Sequence, residues 1–240
     1  MSFRIEKILT PYNFTNRNNV KRIKYIVIHY FGSLGTAAAV ANWFARGFRG
    51  ASAHYILDEG DIIYQSVEDE DVAWHCGTSG TFYHAECRNS NSLGIEVRPH
   101  KLNTASLKAT DTDWYFKPEV VDRLVLLTKE LMKKYNIPVD NVLRHYDVTR
   151  KICPNPFVID AKAVTAWDTF KKRLVEPTPI SHRVRVNAIA LNIRKGPGTQ
   201  HHITGVITDR GVYTVVDIRN GWGMLKSGAG WISLNFTTRL

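Results

Sequence analysis

The alternation of apolar and polar positions divides the first 175 residues into short strands and amphipathic helices. The run IKYIVIHYF (23–31) is dense in β-branched and aromatic residues, which is typical of a buried strand. Two short apolar runs within 53–67 flank Gly60 and predict a hairpin. The run SLGIEVRP (92–99) predicts another strand, which ends at its proline.

Helical periodicity separates these strands. The segment 36–46 begins with a threonine suited to an N-cap and predicts a helix that ends near Gly47. A longer helix begins at Pro118 and places five side chains on one face: Val120, Leu124, Leu127, Leu131 and Tyr135. A last helix is predicted over 161–175. The pattern therefore predicts that residues 1–175 form an α/β domain with a central mixed sheet flanked by helices.

The pattern changes after residue 175. The segment 176–182 contains two prolines and no periodicity, which is typical of a semi-rigid linker. From 183 to 240, short apolar runs alternate with Gly, Asn and Asp, and no helical pattern is present. These residues predict a small all-β barrel.

Composition narrows the class of protein. With 44% hydrophobic and 22% charged residues, the chain resembles an ordinary globular protein. No apolar run approaches the roughly 20 residues that cross a bilayer, so we expect no membrane insertion. The first residues lack an apolar core followed by a small-residue cleavage site, so we expect a protein made in the cytoplasm.

The net charge of +10 favours polyanionic partners. Residues 181–240 contain eight Lys/Arg and two Asp, so this part contributes +6. Because the charges are spread along the segment, they do not resemble a nucleic-acid-binding arm. A nucleic acid, an anionic membrane and an anionic cell wall are all polyanions that such a surface could bind, and a merely solvated basic face is the alternative.

Three cysteines are too few for a disulfide framework. A Cys76–Cys87 bond is possible but disfavoured in a reducing compartment. Cys153 is therefore available for other chemistry.

Cys153 lies in RHYDVTRKICPNPF (144–157), together with His145 and Lys151. The two prolines deny this segment a helix, and its Asp and Thr favour local turns, so we predict an irregular loop. Such loops often carry functional groups. The alternative is a stiff connection with a chance histidine and a buried thiol.

A third residue completes a set of metal ligands. His29 stands at the end of the strand 23–31, where α/β folds place their sites. With His145 and Cys153 it gives two imidazoles and one thiolate, and three protein ligands with one open position are typical of catalytic zinc. Neither CxxC nor HExxH is present, and a core histidine satisfied by hydrogen bonds is the alternative for each imidazole.

Five motifs in a fixed order indicate a family. They are IVIHY, SAHYILDEGDIIY, AWHCG, SLGIEV and RHYDVTRKICP. In this order the chain resembles the zinc-dependent N-acetylmuramoyl-L-alanine amidases, the family of T7-type lysozyme and peptidoglycan recognition proteins, over about residues 20–170. The last 58 residues resemble a bacterial SH3 domain through LNIRKGPG, GWGML and GWISL. The combination resembles a phage endolysin or a bacterial autolysin.

The resemblance implies that His29, His145 and Cys153 bind Zn²⁺. It implies that Glu96 accepts a proton from water and returns it to the leaving amine, and that Lys151 stabilises the oxyanion. The alternative for Glu96 is a surface carboxylate or a strand-edge salt bridge, and the alternative for Lys151 is an exposed loop lysine. One position departs from the T7-type pattern, because Ala53 stands where those relatives have a tyrosine.

Two residues of AWHCG are predicted to contact substrate. His75 is interpreted as a substrate-contacting residue and Trp74 as a wall of the site. A buried, hydrogen-bonded histidine is the alternative for His75. His54, in the hairpin, is expected to be structural.

The resemblance implies an enzyme that cuts the amide between N-acetylmuramic acid and L-alanine in bacterial peptidoglycan, with the barrel bound to a cell-wall polymer. The main alternative is a peptidoglycan-binding protein of the same fold without catalysis. A glycosidase would need a pair of carboxylates, and the candidates lie in or after an exposed hairpin. Nucleic-acid binding is not expected, since the barrel has no obvious row of base-stacking aromatic residues.

Overall fold

The computed structural model describes residues 3–77, 80–176 and 182–240. The chain divides into two compact units, with the boundary after Glu176. Most of the predicted linker, 176–182, lies outside the described residues. Within the part that is described, no helix combines the length and apolar character that a bilayer span requires.

The first unit is built around a six-stranded sheet. Its strands are β1 (Arg4–Lys7), β2 (Phe14–Thr15), β3 (Tyr25–Tyr30), β4 (Tyr55–Leu57), β5 (Ile62–Gln65), β6 (Val72–Ala73), β7 (Ser92–Val97), β8 (His100–Lys101), β9 (Trp114–Tyr115) and β10 (Val142–Arg144). The sheet order is β1-β5-β4-β7-β3-β10. The β4–β5 hairpin is antiparallel and the other neighbours are parallel, so the predicted mixed sheet is confirmed.

Strand β1 was not predicted. It forms an edge of the sheet, paired in parallel with β5, and all four of its residues are exposed. Its sequence, RIEK, contains three charged residues and lacks the apolar alternation by which a half-buried strand is recognised.

The helices are α1 (Ala37–Ala45), α2 (Pro118–Tyr135), α3 (His145–Thr149) and α4 (Ala161–Val175). Thr36 caps α1 by accepting a hydrogen bond from the Ala39 amide at 3.2 Å, and Asp160 caps α4 by accepting from Ala163 at 2.8 Å. The apolar faces of α2 and α4 pack with the sheet residues Leu93, Ile95 and Val97 in the main core. Glu96, which lies between Ile95 and Val97 in the sequence, is therefore on the opposite face of β7.

The segment 144–157 corrects one prediction. It is not irregular throughout, since α3 occupies its first part and a 3₁₀ turn spans Asn155–Phe157. Asp147 stabilises the start of α3 by accepting from the Arg144 amide at 2.8 Å and by pairing with its guanidinium at 2.7 Å. The prolines follow α3 and restrict only the residues beside them.

The second unit consists of β11 (His182–Val186), β12 (Leu191–Arg194), β13 (Ile203–Ile207), β14 (Val212–Arg219), β15 (Trp222–Leu225), β16 (Trp231–Ser233) and β17 (Thr237–Arg239). They form one antiparallel sheet in the order β13-β12-β16-β15-β14-β11-β17. Its core comprises Val184, Val186, Leu191, Ile207, Val215, Leu225 and Ile232. The all-β prediction is confirmed for the described residues of this unit.

Candidate active site

Two of the predicted site residues lie side by side on neighbouring parallel strands, and a third directly follows the next strand. His29 in β3 is in register with Glu96 in β7. The β3–β10 register ends with Ile28 beside Arg144, so the next residue, His145, follows beside His29. Parallel pairing therefore brings together side chains that are far apart in the sequence, at the carboxyl ends of the strands.

Cys153 joins this row through the segment after α3. The Cys153 carbonyl accepts a hydrogen bond from the Tyr146 amide at 2.9 Å, which returns the chain to the start of the helix. Its Sγ lies 3.7 Å from His29 Nδ1. Ligand atoms of His29, His145 and Cys153 all lie within 4.8 Å of one another, and all three residues are buried.

The donor atoms of this group fit a metal ion. His145 Nε2 lies 3.2 Å from the Gly77 carbonyl, while its Nδ1 is buried without a hydrogen-bond partner among the described residues. A buried polar atom without a partner is costly, and a metal ion would satisfy it. Two imidazole nitrogens and one sulfur, with one position left open, match the requirements of zinc.

Burial determines the protonation of these ligands. It lowers the pKa of His145 to about 4, helped by the positive charge of Lys151. Burial likewise lowers the pKa of His29, with smaller contributions from His145 and His75. Both imidazoles are therefore neutral near pH 7, the form in which histidine binds a metal.

Cys153 responds to burial in the opposite direction. Burial raises the pKa of its thiol, and the Glu96 carboxylate raises it further. A metal ion favours the thiolate and would reverse this shift.

Glu96 has the properties of a proton acceptor. Its Oε2 is buried and has no hydrogen-bond partner among the described residues. Burial raises the pKa of Glu96 to about 7, against the opposing effect of Lys151. A carboxyl group with this pKa can accept and donate a proton near neutral pH.

Lys151 lies at the exposed side of the group. Its positive charge lowers the pKa of both Glu96 and His145. The Lys151 carbonyl accepts a hydrogen bond from the Cys153 amide at 2.7 Å, which ties its backbone to a predicted ligand.

His75 lies in the interior, beside His29. It is buried, with Nδ1 3.0 Å from His29 Nε2 and Nε2 3.1 Å from Ser92 Oγ. Its ring lies against Gly94, where an added Cβ would come within 2.5 Å of His75 Cγ. This environment fits the alternative, a buried and hydrogen-bonded histidine behind His29, and contact of His75 with substrate stays a prediction.

Trp74 has a different environment from its neighbour. It is half-buried, donates from Nε1 to Thr15 Oγ1 at 2.9 Å, and packs edge-on against the exposed Phe48 at 6.0 Å. This position is compatible with a wall at the surface.

Ala53 and His54 lie in the interior. Ala53 is fully buried and offers no polar group where related enzymes have a tyrosine. His54 Nδ1 accepts a hydrogen bond from the Gly94 amide at 3.0 Å, which agrees with its predicted structural role.

Sequence reasoning missed three groups around the predicted site residues. The Gly77 carbonyl lies beside His145 Nε2, and Ser92 and Gly94 contact His75. Gly94 alone gave a signal, because a glycine inside a strand often marks a close approach of another group.

The comparisons with known proteins agree with this geometry. The family model described as N-acetylmuramoyl-L-alanine amidase matches residues 19–156. Two curated relatives are the amidase CwlL of Bacillus licheniformis, 30% identical over 159 residues (63% of this chain, 41% of the relative), and AmiD of Escherichia coli, 29% identical over 166 residues (61% and 55%). The chain thus spans about half the length of these relatives or less.

A solved structure of the catalytic domain of XlyA has the same fold. It aligns with a TM-score of 0.54 at 24% identity, over 71% of this chain and 99% of that domain. Because the family model covers more than half of the residues, the chain belongs to the N-acetylmuramoyl-L-alanine amidase family.

Proposed function

We propose that this chain is a peptidoglycan hydrolase that cuts the amide between N-acetylmuramic acid and the L-alanine of the stem peptide. The observation that carries the proposal is the row of His145, His29 and Glu96, with Cys153 and Lys151 beside it. Metal donors next to a carboxylate and a cation are components with which metal-assisted amide hydrolysis can proceed.

The metal that fits the donor set is zinc, held by His29, His145 and Cys153. When bound, zinc supplies Lewis-acid chemistry, which polarises an amide carbonyl and acidifies water. The burial of all three ligands keeps the donor atoms away from competing solvent.

Glu96 holds the proton during the reaction. Its carboxylate takes the proton from the attacking water and later gives it to the nitrogen of L-alanine, so that the amine leaves in neutral form. A pKa of about 7 places acceptance and donation close in free energy at neutral pH. With Ala53 in place of a tyrosine, Glu96 is the ionisable group beside His29 that is suited to this transfer.

Lys151 stabilises negative charge. As the carbonyl carbon becomes tetrahedral, its oxygen acquires charge that a nearby ammonium attracts. The effect of Lys151 on the pKa of Glu96 and of His145 supports this placement.

For the second unit we propose an SH3-type domain that binds an anionic cell-wall polymer. Arg183 and Arg185 in β11 are exposed, while Val184 and Val186 between and after them are buried. Arg183 pairs with Thr214 in β14, and the Lys226 amide donates to the Thr214 carbonyl. Cross-strand neighbours share a face, so these cations form one exposed patch, named here the Arg183–Lys226 patch.

The charges of this unit leave the patch uncompensated. In residues 182–240, Asp217 pairs with Arg219 at 2.8 Å and Asp209 accepts from Tyr213. Trp231 is buried and Trp222 is half-buried, so the two tryptophans do not form an exposed row on this unit. A row of cations about two strand spacings wide, roughly 10 Å, suits successive negative groups of a polymer.

Digestion of purified sacculi tests the proposed activity. We expect new free L-alanine amines with intact glycan reducing ends, identified by mass spectrometry. New reducing ends without new amines would indicate a glycosidase, and intact sacculi that retain the protein would indicate the non-catalytic alternative.

A further inference from the structure

The environment of His75 contains an ordered series of hydrogen bonds that ends on a proposed metal ligand. Ser92 Oγ donates to the Arg88 carbonyl at 2.6 Å. Because a carbonyl only accepts, the single hydroxyl proton of Ser92 is committed to this bond. Ser92 Oγ therefore acts as an acceptor toward its other neighbours, and one of them is His75 Nε2 at 3.1 Å.

This direction fixes the tautomer of His75. If Nε2 carries the proton and donates to Ser92, a neutral ring leaves Nδ1 as an acceptor. The ring is buried, and its hydrogen-bond partners among the described residues are His29, Cys76 and Ser92, none of them a carboxylate that would hold a second proton on it. Its Nδ1 lies 3.0 Å from His29 Nε2, which must then carry the proton and donate.

The tautomer of His29 follows from the same argument. With its proton on Nε2, the lone pair of neutral His29 is on Nδ1, the nitrogen 3.7 Å from Cys153 Sγ. We infer that His75 and Ser92 are positioning residues that set the tautomer and orientation of His29, so that Nδ1 faces the metal. This inference deepens the proposed function and rests on it.

The position of the His75 ring depends on the absence of a side chain at Gly94. The hydrogen-bonded series from Ser92 through His75 to His29 is called the relay. Gly94 lies beneath the His75 ring, and a Cβ there would come within 2.5 Å of Cγ and 2.9 Å of Nδ1. The Gly94 amide is itself fixed by donating to His54 Nδ1 at 3.0 Å. Gly94→Ala therefore displaces His75 without changing any ionisable group.

One neighbour competes for the acceptor. Cys76 Sγ lies 3.2 Å from His75 Nδ1, and this thiol also hydrogen-bonds the Cys87 thiol. Because the Cys76 thiol can hydrogen-bond Cys87 instead, His75 Nδ1 can accept from His29 Nε2.

Two substitutions distinguish a role of His75 as a hydrogen-bond acceptor from a role in filling space. His75→Asn is smaller than histidine but places an amide oxygen close to where Nδ1 was. His75→Leu fills more space and offers no acceptor. If His75 acts by filling space, His75→Leu should bind zinc more tightly than His75→Asn. If His75 acts as a hydrogen-bond acceptor, His75→Asn should bind zinc more tightly than His75→Leu.

The measurement is the zinc dissociation constant of the full chain, by competition with a chromophoric chelator. We expect His75→Leu and Gly94→Ala to weaken zinc binding by about 10–100-fold, and His75→Asn to retain most of the affinity. His202→Leu, an exposed histidine of the second unit, is the matched control and should not change it. Far-UV circular dichroism establishes that each variant is folded.

A second measurement observes the tautomer directly. In ¹⁵N-histidine spectra of the metal-free chain, His29 should carry its proton on Nε2, and His75→Leu should populate the Nδ1-protonated form. Equal zinc affinities of the Leu and unsubstituted chains, or a proton on His29 Nδ1 in the unsubstituted chain, would overturn the relay. Absence of zinc binding by the unsubstituted chain would instead overturn the proposed function.

Discussion

Two buried polar clusters of the first unit differ in how completely their atoms are satisfied. Asp69 accepts from Tyr55 at 2.6 Å, from Lys134 at 2.9 Å and from Gln65 at 3.3 Å, and also from the Tyr135 hydroxyl. At the candidate active site, by contrast, His145 Nδ1 and Glu96 Oε2 have no partner among the described residues.

The pKa values follow this difference. Burial by itself raises the pKa of Asp69, but hydrogen bonds from Tyr135, Tyr55 and Lys134 outweigh it and lower that pKa below its ordinary value. Burial raises the pKa of Glu96 to about 7, and Lys151 offsets only part of the effect. The Asp69 cluster is therefore arranged for stability, and the Glu96 cluster keeps a capacity for chemistry.

An unpartnered atom alone does not identify a site. Thr128 Oγ1 and Asn155 Oδ1 are also buried without a partner among the described residues. The candidate active site combines three metal donors that lie within 4.8 Å of one another, His29, His145 and Cys153, with a carboxylate in register with His29.

The largest expected effect is that of removing a metal donor. Cys153→Ser replaces the sulfur by a hydroxyl, a poor zinc ligand at neutral pH, so zinc content should fall sharply. Loss of the Lewis acid, worth about 4 kcal/mol or more, corresponds to at least about 10³-fold in activity. Zinc is measured by elemental analysis, and Cys87→Ser is the control, since Cys87 is buried outside the ligand group. Full zinc and activity in Cys153→Ser would place the site elsewhere.

Removal of the proton acceptor should have the next largest effect. Glu96→Gln keeps the shape of the side chain but cannot take a proton, so we expect a rate loss of about 10²–10⁴ with zinc retained. Turnover of a soluble muropeptide measures it. The exposed Glu130→Gln on α2 is the matched control. A near-normal rate in Glu96→Gln would assign proton transfer to another group.

The Asp69 cluster should respond in stability alone. Asp69→Asn removes the charge that Lys134 and two tyrosine hydroxyls contact, and we expect a loss of about 2–4 kcal/mol in the free energy of unfolding. Urea denaturation measures it, with Asp61→Asn, at a largely exposed side chain, as the control. A parallel loss of zinc affinity in folded protein would contradict the separation between the two clusters.

Glu96 should also affect how stability depends on pH in zinc-free protein. The pKa of Glu96 in the folded chain, about 7, lies above the ordinary value of 4.5. Its contribution to the free energy of unfolding is therefore fully present below pH 4.5 and is lost as pH rises through 7. Glu96→Gln abolishes this loss. Its unfolding free energy relative to the unsubstituted chain should therefore rise by roughly 1–3 kcal/mol between pH 5 and pH 8. An unchanged difference would show that Glu96 is not strongly desolvated.

The exposed cations of the second unit, unlike the two buried clusters, are screened by solvent, so their substitution should have the smallest effect. Arg183→Glu with Lys226→Glu should weaken binding of the full chain to purified cell walls several-fold at low salt, and added salt should reduce the difference. Lys195→Glu with Arg210→Glu makes the same change of net charge at exposed positions outside the Arg183–Lys226 patch. Equal weakening by both pairs would indicate a general attraction without a defined patch.

Much of the fold could be predicted because its signals are local. The helix at Pro118, the hairpin around Gly60 and the buried strand before His29 each have a periodicity or a turn residue that specifies them. Strand β10 and helix α3 were missed because they are three and five residues long and depend on tertiary contacts. A three-residue strand has too few positions to show a period.

The candidate site could be predicted only in part. The donor types of His29, His145 and Cys153, together with the order of motifs, indicated a metal site before any geometry was known. The position of His75 could not be predicted, because it depends on the register that places Gly94 beneath its ring. A histidine that faces substrate and one that faces another histidine look the same in a sequence.

The exposed edge strand β1 has a consequence for self-association. An edge strand presents unpaired backbone groups on which a second chain can add its own strand. Arg4, Glu6 and Lys7 give β1 three charges in four residues, and Lys7 pairs with Glu68 at 2.7 Å. Like charges on two such edges would meet in an intermolecular sheet, which disfavours that pairing. Resistance to aggregation along this edge therefore depends on residues that take no part in catalysis.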